Sequence, residues 1–155
     1  MSFLAGCGSG QRFKRDSSLV PVSGTVTIDG EPTSAIWVIF ATAENVKKFQ
    51  LKKTHMLVGT SGVTNDKGEF SLTTTFANDG IAPGDYTVAF EWMPSGVDAD
   101  FFSGGPPPAG VLKKYPKKLL PIHEKYSAGK EGNVPITIKA GKAVTDLKFE
   151  LTTKK

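Results

Sequence analysis

The residues with chemistry to offer lie mostly between positions 93 and 133. Lys113, Lys114, Lys117 and Lys118 surround Tyr115 and precede His123 and Tyr126, with Phe101 and Phe102 upstream. Cations interleaved with aromatics suit an acidic glycan, a teichoic-type polymer, an anionic lipid or an acidic protein. Ammonium groups neutralise acids, and rings hold cations or stack on sugar faces. Lys113, Lys114, Tyr115, Lys117, Lys118, His123 and Tyr126 are therefore the expected ligand-binding set. The alternative is a solvated lysine-rich loop whose aromatics anchor it to the body.

Catalytic sets are sparse. The histidines are His55 and His123. Ser61, His123 and Asp98 supply the residue types of a hydrolytic triad, but no Gly-x-Ser-x-Gly elbow presents the serine. Asp79, Asp85, Asp98 and Asp100 offer oxygens to calcium without a loop of the required ligand count. No His-x-x-x-His pair suits zinc, and no glycine-rich phosphate loop runs from a strand into a helix. The expectation is no catalytic residue, no metal and no cofactor. An enzyme would instead need a cleft where His123 or His55 meets a carboxylate. A carbohydrate-binding module would need exposed aromatics, and Trp37 and Trp92 lie in alternating stretches that read as core.

The one cysteine, Cys7, ends the run Leu4-Ala5-Gly6-Cys7. This run resembles the lipobox that closes a bacterial lipoprotein signal peptide. Small residues fit a narrow peptidase cleft, and the thiol is the only nearby nucleophile that can take a diacylglyceryl group. Gly8, Ser9 and Gly10 then read as a tether, followed by a basic linker with Arg12, Lys14 and Arg15. Only Phe3, Leu4 and Ala5 stand for the apolar region, and the basic region of a signal peptide is missing. The expected address is the cell envelope, periplasm or cell surface, anchored to the membrane by a lipid on Cys7. Several acyl chains anchor stably, whereas one is marginal.

What positions these groups is a folded body over residues 19–153, with 1–18 as tail and linker and 93–133 as an insertion. A chain of 155 residues hides roughly 70% of its unfolded surface on folding. Apolar residues at 39% and charged ones at 22% describe an ordinary folded domain. The net charge of +4 is too small for a nucleic-acid partner to be expected. With a single cysteine there is no internal disulfide framework, and no apolar run approaches the ~20 residues of a membrane span.

Period-two alternation supplies the elements. Val20, Val22, Val26 and Ile28 share one face with Gly24, and Asp29-Gly30 marks a hairpin. Residues 35–41 are apolar on both faces and read as a central buried strand. A weaker strand covers 57–64. Phe70, Leu72, Thr74 and Phe76 alternate, as do Tyr86, Val88, Phe90 and Trp92. Val134, Ile136 and Ile138 pair in pattern with Leu147, Phe149 and Leu151. Seven strands with short turns predict an all-β sandwich. Residues 42–56 are open to a short helix, an edge strand or a loop. Residues 93–133 read as one long irregular insertion, with Leu119, Leu120, Pro121 and Ile122 pinning its far end.

Three stretches carry a family resemblance: residues 22–30 (VSGTVTIDG), 64–70 (TNDKGEF) and 82–88 (APGDYTV). Together with Leu120-Pro121, Lys125-Tyr126 and the closing strand pair, the chain resembles a carboxypeptidase regulatory-like domain of a small bacterial lipoprotein over about residues 20–152. The resemblance implies a seven-stranded transthyretin-like, immunoglobulin-like sandwich and a non-catalytic binding or scaffolding role. In these motifs Asp66 is expected to accept turn amides, Gly68 to take a positive φ, Phe70 to enter the core, and the Tyr86 hydroxyl to find a backbone partner. The same fold hosts hydroxyisourate hydrolase, which relies on a His/Arg set and a C-terminal Tyr-Arg-Gly-Ser. This chain ends Leu151-Thr-Thr-Lys-Lys155, so that likeness stops short of the chemistry.

Overall fold

Period-two stretches become strands where one face carries Val, Ile or Phe. The structure, a computed structural model, describes residues 16–51, 59–92, 116–127 and 129–154. Its strands are β1 (Val22–Ile28), β2 (Glu31–Pro32), β3 (Ile36–Ala41), β4 (Thr60–Val63), β5 (Glu69–Ser71), β6 (Gly84–Trp92), β7 (Val134–Ile138) and β8 (Val144–Leu151). One sheet is antiparallel in the order β4-β3-β6-β7. In the other, β1 is central. β8 lies parallel along one side of it, from Val22↔Val144 to Ile28↔Leu151. β5 pairs with the first half of its other side and β2 with its last two residues. Because β1 and β8 are parallel, both start at one end of the sandwich and both finish at the other.

The inward faces meet in one core. Val22, Val26, Ile36, Val38, Phe40, Phe70, Val88, Phe90, Phe149 and Leu151 are all buried in it. Phe149 sits at its centre, 5.0 Å from Phe90, 5.9 Å from Phe70 and 6.5 Å from Phe40 between ring centroids. Because β3 is apolar on both faces, its outward residues also need cover. Helix α1 (Ala43–Gln50) supplies it, laying Val46 and Phe49 over Ile39, Ala41 and Ala89. Thr42 starts this helix by accepting the Asn45 N–H on Oγ1 at 3.3 Å. Of the three readings open for 42–56, the helix holds over Ala43–Gln50. Trp37 packs on the α1 side and Trp92 on the main core, each only partly buried.

Among the described residues the sheets contain eight strands where seven are expected. The extra one is β2. Asp29 and Gly30 both take positive φ, 52° and 88°, which turns the chain back in two residues. Pro32 has no N–H to extend the new ladder, and the strand ends there. The stretch 70–76 is strand only as far as Ser71. Beyond it the Asp79 carboxylate accepts the N–H groups of Thr74, Thr75 and Phe76 at 2.7–2.9 Å and curls the chain off the ladder. Burial pushes the Asp79 carboxyl up, but these N–H groups outweigh it and hold it below its ordinary value.

The turn before β5 corrects one expectation. Asn65, not Asp66, accepts the turn amides: its Oδ1 takes the N–H of Lys67 at 2.9 Å and of Glu69 at 3.0 Å. Gly68 has φ 72°, Phe70 is buried, and the Tyr86 hydroxyl donates to the Ala82 carbonyl at 2.8 Å. The insertion is also not irregular throughout. Residues 117–126 are helical, a 3-10 turn over Lys117–Leu119 leading into α2 (Leu120–Tyr126).

Candidate functional site

Helix α2 exists because Leu119, Ile122 and Tyr126 recur at helical spacing and Pro121 suits a first turn. That apolar stripe is buried, with the Tyr126 ring edge-on to Phe90 at 6.2 Å. The helix lies on β6, whose last residues extend beyond β7. Asn133 closes its C-terminus, donating from Nδ2 to the carbonyls of Tyr126 at 2.8 Å and Ser127 at 2.9 Å. The returning loop carries Lys130 and Glu131.

The segment after β8 is fixed beside this helix. Asp29 accepts the Thr152 hydroxyl at 3.0 Å, the Thr153 N–H at 3.0 Å and the Thr153 hydroxyl. The Thr153 bonds, side-chain then backbone, hold the Asp29 carboxyl below its ordinary value. The Thr152 N–H donates to the Tyr126 hydroxyl at 3.2 Å. Between helix, loop and tail lies a cleft of about 390 Å³, lined by Pro121, Glu124 and Lys125, by Lys130 and Glu131, and by Thr152, Thr153 and Lys154.

Among the described residues, three ammonium groups and two carboxylates line this cleft. Among the described residues the ion pairs are Glu44–Lys48 and Glu91–His123, so Lys125, Lys130 and Lys154 are not neutralised by a bonded carboxylate. Lys125 Nζ instead lies 5.3 Å from the Tyr126 ring centroid. Such a rim attracts carboxylate, sulfate or phosphate groups, while Glu124 and Glu131 can accept hydroxyls.

The expected ligand-binding set divides. Lys117 and Lys118 are exposed at the start of the 3-10 turn, one turn before Pro121. Tyr126 is 7% exposed and gives its ring to the core, so it offers no stacking face to a ligand. His123 points to β6, its Nδ1 2.9 Å from Glu91 Oε2. Cys7, Lys113, Lys114, Tyr115, His55, Asp98, Asp100, Phe101 and Phe102 lie outside the described residues. Lys125, Lys130 and Lys154 fall outside the expected set, because nothing in their local sequence links α2 and the loop after it to the C-terminal tail.

A histidine does meet a carboxylate, then, but the pair is not part of the cleft lining. The hydrogen bond to Glu91 raises the His123 pKa above its ordinary 6.5, and burial works against it. A raised folded pKa gives stability that is fully present below 6.5 and is lost as the pH rises through the folded value. Part exposure screens the pair, so its contribution is about 0.5–1 kcal/mol. Urea unfolding of wild type and Glu91→Gln is expected to differ by that amount in mild acid and to converge in alkali. A constant difference across pH would show that His123 is not charged in the fold.

No protein-family model matches the chain, and no curated protein matches it.

Proposed function

We propose that this chain is a non-catalytic module of the carboxypeptidase regulatory-like type, tethered to the bacterial cell envelope by a lipid on Cys7. Its cleft between α2 and the C-terminal segment holds an acidic envelope glycan. One observation carries the reading: the parallel pairing of β1 and β8. The chain enters the sandwich where β1 begins, and the cleft sits where β8 ends. Seven strand residues separate the two by about 20 Å. A ligand site at the end away from the tether faces outward from the membrane, where a polymer can reach it.

The observation favouring hydrolysis is the His123–Glu91 pair. It joins α2 to β6, and in this reading it is a latch.

The test uses the full chain from its host. Cys7→Ser is expected to move the protein from the membrane to the soluble fraction and to remove the mass of the lipid. A native protein with a free Cys7 thiol in the soluble fraction overturns the tether. For the cleft, Lys125→Ser, Lys130→Ser and Lys154→Ser together are expected to weaken salt-sensitive retention of isolated acidic envelope polysaccharide by about tenfold or more. Lys113, Lys114, Lys117 and Lys118 changed to Ser test the insertion in parallel. Unchanged retention in the cleft variant overturns the cleft.

A further inference from the structure

A second groove, of about 550 Å³, runs where the edges of the two sheets meet at β4 and β5. Its floor is rigid. The Thr73 N–H donates to the Ser61 carbonyl at 3.0 Å across the seam. The strands approach so closely that a Cβ on Gly62 would lie 2.3 Å from the Ser71 carbonyl oxygen.

The polar groups on this floor are only partly engaged. The hydroxyls of Ser61 and Ser71 and the side-chain amide of Asn78 have no hydrogen-bond partner among the described residues. Glu69 uses Oε2 for the Asn65 amide at 3.0 Å and keeps its other oxygen. Thr73 Oγ1 accepts the Asn78 N–H at 3.1 Å and retains a proton to donate. Val63, 45% exposed, adds an apolar contact at the rim. Among the described residues no Lys, Arg or His lines the groove, so none of them neutralises an anion there, and Glu69 repels one.

We propose that this β4–β5 groove binds a neutral polyhydroxyl chain, an uncharged glycan. Mixed hydroxyl, amide and single-carboxylate groups on strands match alternating sugar hydroxyls, which both donate and accept. The volume falls within the roughly 300–1,000 Å³ of small-ligand sites. The one aromatic among the described lining residues, Phe70, is buried in the core and offers no open ring face for stacking, so affinity is weak, in the millimolar range. The chemistry is the opposite of that of the lysine cleft, and the two sites are independent.

The experiment is a nuclear magnetic resonance titration of the isotope-labelled full chain with cellohexaose and with chitohexaose. The expected result is saturable shifts of the amides of residues 61–65 and 69–73 with one of them, insensitive to salt. Ser61→Ala, Ser71→Ala and Asn78→Ala are each expected to weaken binding about 2–10-fold. All three side chains sit on the surface of the groove, and Lys125→Ser at the other site is expected to leave the titration unchanged. No shifts with either oligosaccharide, shifts confined to another surface, or equal shifts with an oligogalacturonate overturn the proposal.

Discussion

Phe90→Ala lowers the free energy of unfolding by about 3–5 kcal/mol. Phe90 is fully buried on β6. Its ring is edge-on to both Phe149 and Tyr126, so it joins the facing sheet and helix α2 to one packing unit. Truncation removes apolar area from the core and leaves a hole beside the Phe149 and Tyr126 rings. For a domain of this size the midpoint of thermal unfolding falls by about 10 °C or more. The effect reaches the candidate cleft, because Tyr126 loses the ring against which α2 docks. Weakened capture of acidic glycan is expected at temperatures where Phe90→Ala is still folded. The interaction between Phe90→Ala and Tyr126→Ala in a double-mutant cycle is expected to be about 0.5–1.5 kcal/mol for the ring pair. A loss below about 1 kcal/mol for Phe90→Ala would mean that α2 does not pack as described.

Gly24→Ala costs about 1–3 kcal/mol or more, although it adds a single methyl group. Gly24 occupies an inward position of β1, in line with Val22 and Val26. Across from it the β1–β8 register shifts: Val22 pairs with Val144, yet Gly24 pairs with Leu147. The extra residue on β8 bulges and brings its backbone over Gly24. A Cβ there would lie 2.3 Å from the Leu147 carbonyl oxygen and 2.7 Å from its Cβ. Backbone cannot rotate away as a side-chain tip can, so β8 must move along its pairing with β1. Chemical unfolding of Gly24→Ala beside Ser23→Ala reads this directly. Ser23 lies on the opposite face of the same strand, and its change is expected to stay within about 0.5 kcal/mol. Equal midpoints for the two variants would show that the bulge is not where the register places it.

The sandwich was legible because burying one face of a strand imposes period two on its sequence. Val22, Val26, Phe70, Val88, Phe90 and Phe149 declare their inward positions from spacing alone. Asp29-Gly30 declares its hairpin, since both residues tolerate positive φ. What local pattern misjudged was whatever a distant or competing group controls. The 70–76 alternation continues past Ser71, but the Asp79 carboxylate captures the next three amides and overrides it. Two residues, Glu31 and Pro32, are too few to show any period. Residues 117–126 sit within a proline- and lysine-rich stretch, and their helix shows only in the spacing of Leu119, Ile122 and Tyr126. The Lys/aromatic pattern left Tyr126 open between a ligand face and an anchor on the body, because sequence does not say which ring faces the core; its ring is the anchor.

By itself the sequence determined the all-β architecture, the alternating core, the main turns and the single cysteine with its lipobox-like neighbours. Each follows from local chemistry: side-chain direction along a strand, backbone tolerance in a turn, and a nucleophile beside small residues. Only the tertiary structure decided that β1 and β8 run parallel and put the chain's entry and the lysine cleft at opposite ends. It alone brought Lys125, Lys130 and Lys154 together, and set Ser61 beside Ser71 across a seam between sheets. Those placements depend on contacts between residues far apart in the chain. A long-range contact leaves no mark on the spacing of the residues that make it.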